Sequence, residues 1–115
     1  MSRRVEKPWG HEEIWAETDR YVGKVLFINA GQRLSLQHHQ KKDETVRLLR
    51  GKMLLELEND SGIVELIPML PGDSAYIPPG RKHRMTAETD VELLEVSTPE
   101  LDDVIRHEDD YGRAD

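Results

Sequence analysis

Beyond the first ten residues, apolar and polar side chains alternate or fall into short apolar runs broken by Gly, Pro, Asn and Asp. His11–Glu17 and Tyr21–Asn29 (YVGKVLFIN) read as strands, with Val, Ile, Phe and Tyr supplying the β preference. Ala30-Gly31 turns the chain into a strand over Arg33–His39, and Gln40-Lys41-Lys42-Asp43 is a polar turn. Glu44–Arg50 follows, ended by Gly51, and then Lys52–Glu58. Asn59-Asp60-Ser61-Gly62 is a strong hairpin turn that sends Ile63–Ile67 back. Pro71-Gly72-Asp73 turns again, Ser74–Ile77 and Lys82–Thr86 flank a Pro78-Pro79-Gly80 corner, and Val91–Ser97 is the last strand. Short strands roughly 8–12 residues apart with Gly/Pro punctuation predict an all-β sandwich or barrel, not a βαβ fold.

The two ends break this pattern. Residues 1–10 form a polar N-terminal arm ending in the rigid bend Pro8-Trp9-Gly10, whose Trp9 either plugs one end of the core or stacks on a sugar. In the C-terminal segment, 99–115, Leu101, Val104 and Ile105 stand at helical spacing behind Thr98-Pro99. That predicts a short helix or turn packed across the barrel. The six acidic residues between Glu100 and Asp110 suit a partly ordered tail instead.

At 115 residues the chain reads as a single domain, 1–115. It has no Cys, so any metal must be held by His, carboxylate or amide oxygen. With no leader-like apolar region and no run approaching the ~18 apolar residues of a membrane span, a cytoplasmic protein without a membrane partner is expected. Net charge is −7, which argues against nucleic acid. A phosphorylated substrate would need a local basic pocket against that field.

Candidate chemistry gathers in two stretches, Gly31–Gly51 and Gly72–Ala87. Alternation places Ser35, Gln37 and His39 on one face of a strand and Leu34, Leu36 and His38 on the other. A tight turn then brings Glu44 back beside His39, while His83 follows the Pro-Pro-Gly corner. Gln37, His39, Glu44 and His83 form a borderline-hard donor set. It suits Zn²⁺ and also Fe²⁺, Mn²⁺, Co²⁺ or Ni²⁺, with one or two positions left for water or substrate. The alternative for each residue is a solvated surface group, since 34% of the chain is charged.

These stretches resemble the two cupin motifs. The first runs Gly31, five residues, Gln37-His38-His39, four residues, Glu44, six residues, Gly51. The second runs Gly72, five residues, Pro78-Pro79-Gly80, two residues, His83, three residues, Ala87. Gln37 stands where the commoner pattern has His, and Ala87 where it has Asn. Leu34-Ser35-Leu36-Gln37-His38-His39 resembles the LSLQxH segment of phosphomannose isomerases, in which Gln, two His and Glu hold zinc. Lys7-Pro8-Trp9-Gly10, Tyr76-Ile77-Pro78-Pro79-Gly80, His83-Arg84 and the stretch from Asp102 to Arg113 resemble segments of the isomerase domain of bifunctional mannose-6-phosphate isomerase/mannose-1-phosphate guanylyltransferases. Glu95-Val96-Ser97-Thr98-Pro99 departs from that family's pattern, and no guanylyltransferase half is present in this sequence.

The resemblance implies a single-domain cupin, a double-stranded β-helix or jelly-roll barrel, and a metal-dependent aldose–ketose isomerase acting on mannose 6-phosphate or a related sugar phosphate. Asp102 and Asp103 are then candidates for the proton-transfer base and Arg106 for oxyanion stabilisation. Lys42, Arg84 and Tyr76 are candidates for substrate contact. The altered segment after Glu95 favours a second expectation, a metal-containing cupin that binds a sugar or small carboxylate without isomerising it. A third, an Fe²⁺ dioxygenase, uses two His and a carboxylate but leaves Gln37 unexplained. Edge strands of small barrels pair readily, so a homodimer is expected.

Overall fold

A computed structural model describes residues 2–115. It contains eleven strands and, among the described residues, no helix. They are β1 (Arg3–Lys7), β2 (Gly10–Glu17), β3 (Val22–Ile28), β4 (Leu36–His38), β5 (Glu44–Arg50), β6 (Met53–Glu58), β7 (Val64–Met69), β8 (Ser74–Ile77), β9 (His83–Ala87), β10 (Val91–Ser97) and β11 (Ile105–Glu108). One sheet has the order β1-β2-β3-β10-β5-β8 and the other β11-β4-β9-β6-β7, with all named pairings antiparallel. This is the jelly-roll barrel expected of a cupin.

Alternation explains which residues fill it. Val46 and Leu48 on β5, Leu26 and Ile28 on β3, and Val91 and Leu93 on β10 point inward and are buried. Met53, Leu55 and Met85 meet them from the opposite sheet. Trp9 joins this cluster and closes one end, 3% exposed. Gly51 is required where the chain reverses after β5. Its φ is +94°, and a Cβ there would lie 2.2 Å from the Asp90 carbonyl oxygen.

Both ends are more ordered than the pattern alone indicates. In the N-terminal arm Arg3–Lys7 pairs along β2. Of the two forms expected for the C-terminal segment, the turn is found and the helix is not, and a strand follows it. Leu101 N–H bonds the Pro99 carbonyl and Val104 N–H the Asp102 carbonyl. Ile105 and Arg106 then pair with His38 and Gln37 on the open edge of β4. Two tight turns bring Leu101 and Val104 over the barrel mouth as helical spacing would, and the free edge of β4 takes the rest. The expected strand Arg33–His39 is also broken. Leu34 and Ser35 are both buried although adjacent, and the regular strand begins only at Leu36.

Candidate metal centre

Glu44 opens β5 in phase with Val46 and Leu48, so its carboxylate points into the barrel. His39 lies just past β4, and His83 opens β9 directly opposite Gln37. His39 Nε2 is 3.2 Å from Glu44 Oε1, and His83 Nε2 is 3.3 Å from the same oxygen. One ligand atom from each of the three residues lies within 4.8 Å of the others, and all three side chains are buried. Among the described residues this is the one His/carboxylate group of that kind.

The outer ring nitrogens assign the tautomers. His39 Nδ1 is 2.5 Å from the Asp103 carbonyl oxygen and His83 Nδ1 is 3.0 Å from that of Arg81. A carbonyl only accepts, so each Nδ1 carries the proton. In a neutral imidazole this leaves Nε2 as a bare lone pair. Both Nε2 atoms then face a carboxylate whose oxygens are buried without a hydrogen-bond partner. The cluster is relieved either by a proton on each Nε2, which donates to Glu44, or by a cation held among the three residues, and the donor set fits a divalent metal. Gln37 borders the same cavity. Its amide nitrogen donates to Ser35 Oγ at 3.1 Å, which leaves the amide oxygen for a cation.

A row of buried charges backs this centre. Lys24 Nζ is 3.1 Å from Glu12 and 3.6 Å from Glu95. Lys42 Nζ is 3.0 Å from Glu95 and 3.5 Å from Glu44 Oε2. Burial alone would lower the Lys42 pKa, but Glu95 and Glu44 outweigh it and raise it. Burial pushes Glu44 up, while the two imidazoles and Lys42 prevail and hold it well below the usual carboxylate range. Glu95 is pushed up, first by burial and then by the charge of Glu44.

The cavity in front of this row has a volume of about 90 Å³. Trp9, Leu34, Met85, Leu101 and Val104 supply apolar walls. Lys7, Lys24, Lys42, Arg106 and Arg113 face Glu12, Glu44 and Glu95 across it, five cations against three carboxylates. A chain of net charge −7 thus carries a locally cationic cavity. Lys7 and Arg106 make no ion pair among the described residues, and Arg106 Nε is buried without a partner.

A profile of the mannose-6-phosphate isomerase C-terminal family matches residues 1–109. The chain belongs to that family. It is 33% identical over 119 residues to the mannose-1-phosphate guanylyltransferase ManC of Salmonella typhimurium, covering 99% of this chain and 24% of the relative. It is 30% identical over 124 residues to the xanthan biosynthesis protein XanB of Xanthomonas campestris, covering 97% of this chain and 24% of that protein. The chain thus spans about a quarter of the length of these relatives. Among solved structures, KdgF from a Halomonas species superposes with a TM-score of 0.76 at 22% identity, covering 87% of this chain and 90% of the other. Oxalate decarboxylase from Bacillus subtilis superposes at 0.81 and 16% identity, covering 92% of this chain and 30% of the other. These likenesses place the family member in the cupin fold.

The structure gathers some of the residues that the sequence of this family member singles out, and separates others. Gln37, His39, Glu44, His83, Lys42 and Arg106 all border the one cavity. Arg84 lies on the opposite face of β9 from His83 and donates to the carbonyls of Leu34 and Glu108. Tyr76 is exposed on the outer face of β8. Asp102 is exposed and off the cavity wall. The Asp103 carboxylate accepts from the backbone N–H groups of Gln40, Lys41 and Lys42 at 3.0, 2.7 and 2.9 Å. It therefore braces the loop between His39 and Glu44. The buried trio Glu12, Lys24 and Glu95 was not singled out as site residues. Its signal is a charge standing in the apolar register of a strand: Lys24 in phase with Val22, Leu26 and Ile28, and Glu95 in phase with Val91 and Leu93.

Proposed function

We propose that this chain binds one divalent metal through Gln37, His39, Glu44 and His83 and isomerises a sugar phosphate, mannose 6-phosphate or a related aldose. The observation that carries the reading is the convergence of His39 Nε2 and His83 Nε2 on one buried Glu44 oxygen, at 3.2 and 3.3 Å, beside Gln37. The donor set favours zinc, with iron, manganese, cobalt or nickel as alternatives. A cation held there would polarise the substrate carbonyl and the neighbouring hydroxyl as a Lewis acid.

The chain's own residues supply the rest. Lys7 and Arg106 hold the phosphate, because they are the cavity cations that no carboxylate engages. Lys42 fixes the orientation of Glu44 and screens its charge from Glu95. The proton shuttled between adjacent carbons passes through a carboxylate on the cavity wall outside the ligand set, Glu12 or Glu95. Asp102 and Asp103, the candidates drawn from the resemblance, stand away from that wall. Leu101 and Val104 exclude bulk water at the mouth.

That separation also favours a second reading, a metal-containing cupin that binds a sugar phosphate or small carboxylate without converting it. One experiment divides the two. Metal-replete protein is incubated with mannose 6-phosphate in a coupled assay, and ligand binding is followed by calorimetry on the same sample. Conversion supports the isomerase. Binding without conversion supports the second reading, and neither outcome with a fully loaded protein sinks both for this substrate. Oxygen uptake by iron-loaded protein would mark the dioxygenase instead.

A further inference from the structure

His38 stands between two cavity residues, Gln37 and His39, yet does not border the cavity. Alternation turns it to the other face of β4, at the edge that β11 closes. Ile105 pairs with His38, Arg106 with Gln37 and Glu108 with Leu36, so His107 is the extra, unpaired residue of a bulge. A bulge re-aims a side chain. The His107 ring lies stacked along that of His38, with centroids 5.0 Å apart and planes 21° apart.

His38 Nδ1 and His107 Nε2 face each other at 2.8 Å. Two N–H groups cannot point at one another at that distance, so at least one of these nitrogens presents a lone pair. The outer ring nitrogens, His38 Nε2 and His107 Nδ1, make no hydrogen bond among the described residues. Each can carry its ring's proton toward water. Moving the proton that lies between the rings to an outer nitrogen frees both facing nitrogens for a cation, with both rings still neutral.

The spacing selects the ion. Metal–imidazole bonds are about 2.0–2.1 Å, so nitrogens 2.8 Å apart subtend roughly 85–90° at a shared ion. A right angle suits neighbouring corners of a square-planar or tetragonal ion, the preference of Cu²⁺ and Ni²⁺, whereas a tetrahedral ion such as Zn²⁺ asks for ~3.3 Å. The barrel centre has the wider spacing, 3.2 and 3.3 Å from Glu44 to its two imidazoles. His107 is exposed, so water reaches the remaining positions.

We propose that His38 and His107 form a second metal site, on the β4–β11 edge outside the barrel, which takes Ni²⁺ or Cu²⁺ and pins β11 to β4. None of the barrel ligands takes part, so the site does not depend on the functional reading above. The test uses the untagged full chain and Glu44→Gln, each equilibrated with zinc and freed of excess, then titrated with nickel chloride by calorimetry. Bound nickel and zinc are counted by elemental analysis, amide hydrogen exchange follows β11, and circular dichroism checks that each protein is folded. One Ni²⁺ per chain is expected in Glu44→Gln, and one in wild type with its zinc content unchanged. Exchange at Ile105–Glu108 should slow when nickel binds. His107→Ala and His38→Ala should each weaken nickel binding about tenfold or more. Nickel that enters wild type only by replacing zinc, or fails to bind folded Glu44→Gln, overturns the proposal. So does folded His107→Ala that binds nickel as tightly as wild type, or nickel binding that leaves exchange in β11 unchanged.

Discussion

Asp103→Ala removes one carboxylate and three hydrogen bonds at once. The side chain accepts from the N–H groups of Gln40, Lys41 and Lys42, in the loop that carries the chain from His39 to Glu44. A buried bond to a charged acceptor contributes about 1.5–3 kcal/mol. Asp103 is partly open to water, and the released N–H groups rehydrate, so the three together are worth about 1–2 kcal/mol after that discount. In a chain of this size that is about 4–8 °C in Tm. The backbone carbonyl of Asp103 stays in place, so His39 keeps its tautomer. Burial opposes ionisation of Asp103, but the three N–H donors prevail and lower its pKa from 3.8 to about 2. A carboxylate with a depressed folded pKa contributes stability that is complete above its unfolded value and is lost as pH falls through the folded one. The gap between wild type and Asp103→Ala is therefore constant from pH 7 to about 5, shrinks below about 4 and is largely gone near 2. Thermal melts by circular dichroism across that range check it. An identical Tm at pH 7, or a gap that stays the same at pH 2, would mean that these three bonds do not stabilise the loop.

Other consequences can be read off the same geometry. Lys24→Met leaves Glu12 and Glu95 buried beside an apolar chain and should cost about 3–5 kcal/mol in chemical denaturation, whereas Arg3→Met, on the exposed Arg3–Glu17 pair, should leave the denaturation midpoint nearly unchanged. Gly51→Ala forces a Cβ against a backbone carbonyl at positive φ and should destabilise by about 2–4 kcal/mol, while Gly62→Ala, with open space around it, should cost clearly less. Arg106→Ala and Lys7→Ala should each weaken binding of a phosphorylated sugar about tenfold or more, and leave binding of the unphosphorylated sugar nearly unchanged, as read by calorimetry.

Much of this was legible because strands announce themselves by phase. Glu44 shares a strand face with Val46 and Leu48, which the structure turns inward, and the motif spacing already paired it with His83. Three things were not legible, each for a physical reason. Arg3–Lys7 and Ile105–Glu108 carry too few apolar residues to show a period, and they become strands only because β2 and β4 offer free edges. Leu101, Val104 and Ile105 fit a helix by spacing, but two turns satisfy the same positions. Arg84 looked like a ligand-binding cation beside His83. Adjacent strand residues point to opposite faces, so the same alternation that aims His83 inward turns Arg84 to two backbone carbonyls. Lys24 and Glu95 could have been found by asking why a charge stands in an apolar register.

Two imidazole nitrogens, Glu44 and the Gln37 oxygen are proposed to hold one cation. Elemental analysis of purified protein after equilibration with zinc and removal of excess tests it most directly, with Glu44→Gln and His83→Ala alongside. One metal per chain is expected in wild type, with a large loss in both variants while they remain folded. Metal-free wild-type protein under those conditions, or full occupancy in folded Glu44→Gln and His83→Ala, would contradict it.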